Sequence, residues 1–431
     1  MRSDHALAAA TGGAGALLVA AGGPLGRPGL VCAYAGLTLL VLGWWWYGRC
    51  GPAPARHRWA TLGLWSAPLV LAPPLFSRDV YSYLAQGLMA DSGIDVYRFG
   101  PERLGGPVAA QVPALWQDTP SPYGPVWLLI SRTVTAVTGT HLGAGVTGMR
   151  LVAAGGVALI ALAVPVLARA GGVDGARAWW LVVLNPLVLI HLVSGAHNDA
   201  LMAGLLAVGL AAAVRRRPIL GAVVVSLAAL VKAPAAAGLA AVALIWTTNA
   251  ATKEVTDGKP VSRTAAMAAA GAVGAAVTVV VGELTGFGYA WITALGTPVS
   301  PGNWSLTGVL ERMTGQHGWR WAGVLIVVVV AIAAYRMKPV AALGVLLLAV
   351  VVFGPALRPW YLLWALLPLA VSRPGAHRWL VPASAALTLV VLPDGYAADQ
   401  DELRLATLGV VLGIATLALA VTRAPERRPA L

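Results

Sequence analysis

The sequence predicts an all-α polytopic membrane protein, a bundle of about fourteen transmembrane helices with a large outer loop carrying short amphipathic helices. Three observations lead there. The 431 residues are 58% hydrophobic and only 11% charged, and in lipid only helices and closed barrels satisfy their own backbone hydrogen bonds. The 50 glycines suit helices packed at close backbone approach. The net charge of +13 is also sorted along the chain rather than spread over it.

Taken in order, apolar runs place spans near 6–23, 30–47, 60–76, 149–168, 178–195, 199–214, 218–232, 234–247, 264–284, 320–335, 339–355, 360–372, 379–393 and 404–422. The first is similar to a signal peptide, but a second run follows closely, so a retained helix is expected. Val126–Gly139 is short and carries Arg132 midway, which suits an interfacial helix. Trp44-Trp45-Trp46-Tyr47 reads as an anchor at the inner leaflet. Cys32 lies within a span and Cys50 at the opposite interface, out of disulfide reach. The whole chain, 1–431, reads as one integral-membrane domain, with 77–148 as an outer loop within it.

With the N-terminus inside, the inner segments hold 19 of the 30 Lys and Arg against 5 of the 17 acids, which leaves 11 and 12 elsewhere. That is the positive-inside bias, and it also puts the C-terminus inside. A nucleic-acid groove would gather the charge on one site, but the largest cluster is Arg215–Arg217.

Ser77 to Pro125 is the longest break between apolar segments. It holds Asp79, Asp91, Asp95, Glu102 and Asp118, together with Tyr81, Tyr83, Tyr97, Trp116 and Tyr123. A long connection is functional or disordered, and this one is too aromatic for disorder. Asp79 reads either as a helix N-cap paired with Arg78 or as a general base.

Four other places stand out on the same side. Asn185-Pro186 interrupts a span before His191 and His197-Asn198-Asp199; such a cluster is a satisfied helix end or a site. His197 and Asp199 alone are an incomplete metal ligand set. Lys232, before Ala233-Pro234, and Arg358, between Leu357 and Pro359, are cations where cations are otherwise scarce. Each either snorkels to headgroups or projects into a pocket. Ser300-Pro301-Gly302-Asn303-Trp304-Ser305 is a plain turn or a sugar contact.

Ser77-Arg78-Asp79-Val80-Tyr81-Ser82-Tyr83, Ser121-Pro122-Tyr123-Gly124-Pro125, Asn185-Pro186 with His197-Asn198-Asp199, Lys232-Ala233-Pro234 and Arg358-Pro359-Trp360-Tyr361 occur in an order that resembles the polyprenol-phosphomannose-dependent α-1,6-mannosyltransferases, which are GT-C integral-membrane glycosyltransferases. The resemblance runs from the third span to the twelfth. It implies a GT-C-type bundle and a lipid-phosphate-linked mannose donor. It also implies a mannan or lipoglycan acceptor and an active site outside the cytoplasmic membrane. An acidic residue of the first large outer loop is then the base, and Asp79 maps onto it; Arg78 stands where some relatives carry a second acid. Lys232 and Arg358 are then expected at the donor phosphate, with Arg78, Tyr81, Tyr83, Tyr123, His197, Asn198, Asp199, Trp360 and Tyr361 around the substrates. No cofactor is firmly implied, and a divalent metal stays open. No soluble C-terminal domain is seen, so acceptor recognition is expected from loops and membrane surface.

The rival class is a transporter or flippase of a lipid-linked or polar solute. It would carry charge through the midplane and inverted repeats. No internal repeat is evident, and the unusual charges gather on the outer side. A non-catalytic scaffold leaves the acidic loop unexplained.

Overall fold

Small residues decide how the first helices meet. In the computed structural model, which describes residues 2–254, 261–296, 305–390 and 399–422, α1 (Arg2–Gly22) and α2 (Gly26–Arg49) form an antiparallel hairpin. A Cβ on Gly15 would lie 2.5 Å from Leu40 N, and one on Gly36 2.5 Å from Gly15 O. Backbones that close admit no side chain between them. Across this hairpin lies α3 (Ala55–Leu71), whose buried Trp65 donates its indole N–H to Ala9 O at 2.8 Å.

The segment after α3 folds through its own polar groups. It contains α4 (Asp79–Asp91), two single turns, α5 (Gly106–Ala109) and α6 (Ala114–Gln117), and then α7 (Pro125–Thr138). Gln117 donates to Ala109 O and Val112 O at 2.7 and 2.9 Å, and Tyr97 donates its hydroxyl to Tyr123 O at 3.1 Å. Those bonds satisfy a backbone that no regular element covers.

The core is built by α8 (Leu142–Gly171), α9 (Gly175–Val183), α10 (Asp199–Val214) and α11 (Pro218–Val231). Between α9 and α10 the chain bends by 60° into a π-helical turn, Val188–Ser194. Pro186 cannot donate to a helix ladder, and Asn185 repairs the gap. Its amide accepts from Leu187 N at 3.0 Å and donates to Leu181 O at 3.0 Å and Ser384 Oγ at 2.9 Å.

The rest of the chain adds α12 (Ala237–Glu254), α13 (Arg263–Thr285), α14 (Leu306–Thr314), α15 (Trp319–Ala334) and α16 (Pro339–Phe353). After them come α17 (Leu362–Ser372), α18 (His377–Leu389) and α19 (Gln400–Thr422). There is no strand among the described residues. Leu284, Leu325, Ile332 and Leu419 on α13, α15 and α19 are more than half exposed, an outward apolar surface suited to lipid.

Over its described residues, every run read as a span is mostly helical. Among the described residues, four helical stretches are long and apolar enough to cross a membrane: Asp4–Arg49, which holds the α1–α2 hairpin, Leu142–Gly171, Arg263–Thr285 and Gln400–Leu419. The bent pair Gly175–Val183 and Val188–Ser194 makes a fifth, and the other apolar helices are shorter. The expected fourteen crossings exceed that number. Trp44 and Tyr47 correct the anchor reading: both are buried, with Trp44 stacked on Trp180 at 5.1 Å, and of the neighbouring tryptophans Trp45 is 46% exposed. Both cysteines are free. Ser300–Trp304 lies outside the described residues.

Candidate functional site

Helix ends that are far apart in sequence converge on one cavity. α3 and the π-helical turn finish side by side, and one buried arginine ties them together. Arg150 of α8 donates to Val70 O at 2.7 Å, and to Ser194 O from Nε at 3.0 Å and Nη2 at 2.9 Å. Carbonyls at a helix C-terminus lack intrahelical partners and attract cations, so Arg150 fixes both ends. The chain leaves each end through a residue in the left-handed region, Phe76 (φ 60) and Ala196 (φ 52). Each strained residue costs on the order of 1–3 kcal/mol, and such conformations gather at functional sites. They lead directly into Ser77–Asp79 and His197–Asp199.

Asp79 is the first residue of α4, and the N-cap is Arg78, with no side-chain cap. Asp79 is therefore not the N-cap, and Arg78 is not its partner: Arg78 donates to Gln111 Oε1 at 2.7 Å and lies over the Tyr81 ring. The Asp79 side chain is 15% exposed and its carboxylate meets His197 instead, Oδ2 standing 3.6 Å from Nδ1. Burial pushes the Asp79 carboxyl above the usual carboxylate range, against the pull of Arg358 and Lys232. Burial, then the charges of Lys232 and Arg358, hold His197 well below the usual imidazole range, so it is neutral at pH 7. Its ring lies 4.2 Å from that of Trp360. Neither His197 nitrogen has a hydrogen-bond partner, and the same holds for both amide atoms of Asn198, both nitrogens of His191 and the Trp360 indole N–H. Buried polar groups are rarely left unpaired, and here they cluster behind one carboxylate.

Asp199 is treated differently. Its carboxylate accepts from Lys232 Nζ at 2.9 and 2.8 Å and from the Trp364 indole at 2.5 Å. Lys232, the C-cap of α11, also sits over the Tyr361 and Trp364 rings at 4.9 and 5.3 Å. Its charge is thus matched before any ligand arrives. Arg358 stands across the cavity, 6.0 Å over the Trp116 ring. The close approach of α7 to α11 brings the two walls together: a Cβ on Gly124 would lie 2.3 Å from Leu230 O.

The cavity encloses ≈ 410 Å³. Asp79, Tyr123, Lys232, Arg358, Trp360 and Tyr361 line it. Directly behind them, His197, Asn198, Asp199 and Tyr83 are buried, the Tyr83 ring 5.4 Å from that of Tyr123. Arg78 and Tyr81 do not line it. Among the described residues no three His, Cys, Asp or Glu side chains converge as a metal site requires, and both Asp199 oxygens face Lys232. The sequence reading assigns no role to Arg150, Gln86, Ser121 or Trp364. Gln86 lines the cavity and accepts from Ser121 Oγ at 3.1 Å. A charge inside an apolar segment was the available signal for Arg150, and Ser121 opens the Ser121-Pro122-Tyr123-Gly124-Pro125 motif; Gln86 carried none.

Two family models match the chain: "Alpha-(1->6)-mannopyranosyltransferase, N-terminal domain" over residues 9–248 and "MptB C-terminal domain" over residues 302–423. A protein of Mycolicibacterium smegmatis named "Probable alpha-(1->6)-mannopyranosyltransferase" is 36% identical over 91% of this chain and 78% of its own length. Alpha-(1->6)-mannopyranosyltransferase A of Mycobacterium tuberculosis is 36% identical over 85% of this chain and 76% of its own. Alpha-(1->6)-mannopyranosyltransferase B of Corynebacterium glutamicum is 33% identical over 86% and 68%. No solved structure matches. With a family model over more than half its length and relatives aligned along most of it, the chain belongs to the alpha-(1->6)-mannopyranosyltransferase family.

Proposed function

We propose that the chain is an inverting mannosyltransferase that moves mannose from a polyprenyl-phosphate donor to a mannan or lipoglycan acceptor, with Asp79 as base. The observation that carries this reading is a carboxylate made more basic by burial, with neutral His197 and no cation against it, in a cavity whose other carboxylate is neutralised by Lys232. The acceptor hydroxyl gives its proton to Asp79 as its oxygen attacks the anomeric carbon. The bond from that carbon to the phosphate oxygen breaks, and the phosphate keeps the electron pair. A phosphodiester becomes a monoester and gains charge, so a cation placed there favours the transition state over the ground state. Arg358 suits that position, since its fork can grip two oxygens, and Lys232 acts beside it through its pair with Asp199. Neutral His197 steadies the Asp79 carboxylate without cancelling its charge. The apolar helices α16 and α17, which reach the cavity through Val350 and Trp364, suit a neighbouring polyprenyl chain.

The membrane reading is the cytoplasmic membrane, multi-pass, with both termini inside, about fourteen crossings and the cavity outside. In support, α3, α8, α9, α11 and α17 all run between the cavity end and the end that carries Arg58, Arg169, Arg177, Arg215–Arg217 and Arg373. The test is purified protein with polyprenyl-phosphomannose and a short mannoside, the products followed by mass spectrometry. An α-1,6-linked product is expected. Movement of lipid or solute across vesicles without a glycosidic product would favour the transporter.

A further inference from the structure

The same helices that deliver Asp79 and His197 to one end of the bundle enclose a second cavity at the other. It measures ≈ 420 Å³ and opens where α2 gives way to α3 and α9 begins. Tyr47, Arg49, Arg58, Asp174, Arg177 and Trp180 line it. Three guanidinium groups thus face one carboxylate, and that carboxylate is already engaged: Asp174 caps α9 by accepting from Arg177 N at 2.6 Å. Arg58 lies over the Trp179 ring at 5.3 Å, yet its Nε is buried without a hydrogen-bond partner. Tyr47 Oη makes no hydrogen bond of normal geometry either; Thr61 beside it gives its own hydroxyl to His57 O at 2.8 Å. A pocket with excess positive charge and an unpartnered buried Arg58 N–H calls for an anion.

Its depth says which anion. The 17 residues of α3 rise roughly 25 Å at 1.5 Å per residue, close to the thickness of a hydrocarbon core. The cavity therefore sits at headgroup level on the side opposite Asp79. Trp45 and Trp59 are 46% and 41% exposed there, as aromatics are at a membrane interface. Basic pockets between spans at that level hold acidic headgroups. We propose that this pocket binds the headgroup phosphate of an anionic phospholipid of that leaflet. The inference rests on the membrane reading above for its leaflet, and not on the transfer chemistry.

The experiment uses the full chain purified in detergent and follows its thermal unfolding with dioleoylphosphatidylglycerol, dioleoylphosphatidylcholine or soluble glycerol 1-phosphate. Phosphatidylglycerol should raise the unfolding temperature and stay bound in native mass spectra, and the other two should not. Arg58→Gln and Arg177→Gln should each weaken phosphatidylglycerol binding roughly five-fold, as expected for one basic residue near an anionic lipid. Arg177 is exposed, so its variant keeps the fold even if Arg58→Gln does not, and mannosyl transfer reports that separately. Equal effects of the two lipids would overturn the proposal, as would unchanged phosphatidylglycerol binding in Arg177→Gln. Stabilisation by glycerol 1-phosphate alone would overturn the lipid assignment in favour of a free phosphate ester.

Discussion

The bundle encloses cavities of nearly equal volume at its two ends, ≈ 410 and ≈ 420 Å³, and treats charge in opposite ways at each. At the Asp79 end, two carboxylates meet one lysine and one arginine, and the side chains that hold them are buried. At the Arg58 end, three arginines outnumber one capping aspartate, and Arg49 and Arg177 stand in the open. A reaction that creates charge needs a site balanced beforehand, where a proton or phosphate tips the balance. A pocket for a standing anion needs a standing surplus of cations.

The largest effect that would sharpen this contrast is expected at Asp79. Asp79→Asn keeps the shape but cannot take a proton, and turnover should fall by roughly 10²–10⁴. Near-normal turnover in correctly inserted protein would remove Asp79 from the chemistry. The pH profile gives the same test a sign. In the proposed mechanism the active form is the deprotonated Asp79 carboxylate, and its pKa is raised by burial. Activity is therefore lost as pH falls through a value above the ordinary carboxylate range, and that acid limb should be missing from the residual rate of Asp79→Asn.

Next comes the ion pair behind the cavity. Lys232→Ala leaves Asp199, 1% exposed, without its counter-charge, which costs on the order of 3–5 kcal/mol in buried pairs. Thermal unfolding should show the loss. Lys232→Met combined with Asp199→Asn should recover much of it, because no lone charge stays buried. If Lys232→Ala unfolds like the wild type, the pair is not the buried bridge described here. The smallest effect is expected for Arg358→Lys, which keeps the charge but gives up the fork. The donor kcat/KM should drop about tenfold at saturating acceptor, with unfolding unchanged. Wild-type kinetics in this variant would take the phosphate away from Arg358.

Much of this was legible in the chain itself. Apolar runs and sorted basic residues are local properties, and they pointed to an all-helical protein with an excess of basic residues toward one end. The polar segment from Ser77, the broken helix at Asn185-Pro186 and the two displaced cations were visible as departures from that pattern. The polar segment and the two cations border one cavity, and His197, Asn198 and Asp199, which follow the broken helix, are buried behind it. Partner choice was not legible. Lys232 and Asp199 lie 33 residues apart, and Trp364 reaches Asp199 from 165 residues away. Sequence could place Arg78 beside Asp79, but only the start of α4 turns Arg78 toward Gln111 and leaves Asp79 to His197. Trp44 and Tyr47 had the composition of a headgroup anchor, yet α9 covers Trp44 with Trp180. Arg150 is one charge in an apolar run, and only the packed helices bring the ends of α3 and the π-helical turn onto it. Hydrophobicity and net charge act residue by residue, so the chain alone determined class and polarity. Which carboxylate is neutralised by a lysine and which meets only a neutral histidine depends on contacts between helix ends distant in sequence, and those exist only once the helices have packed.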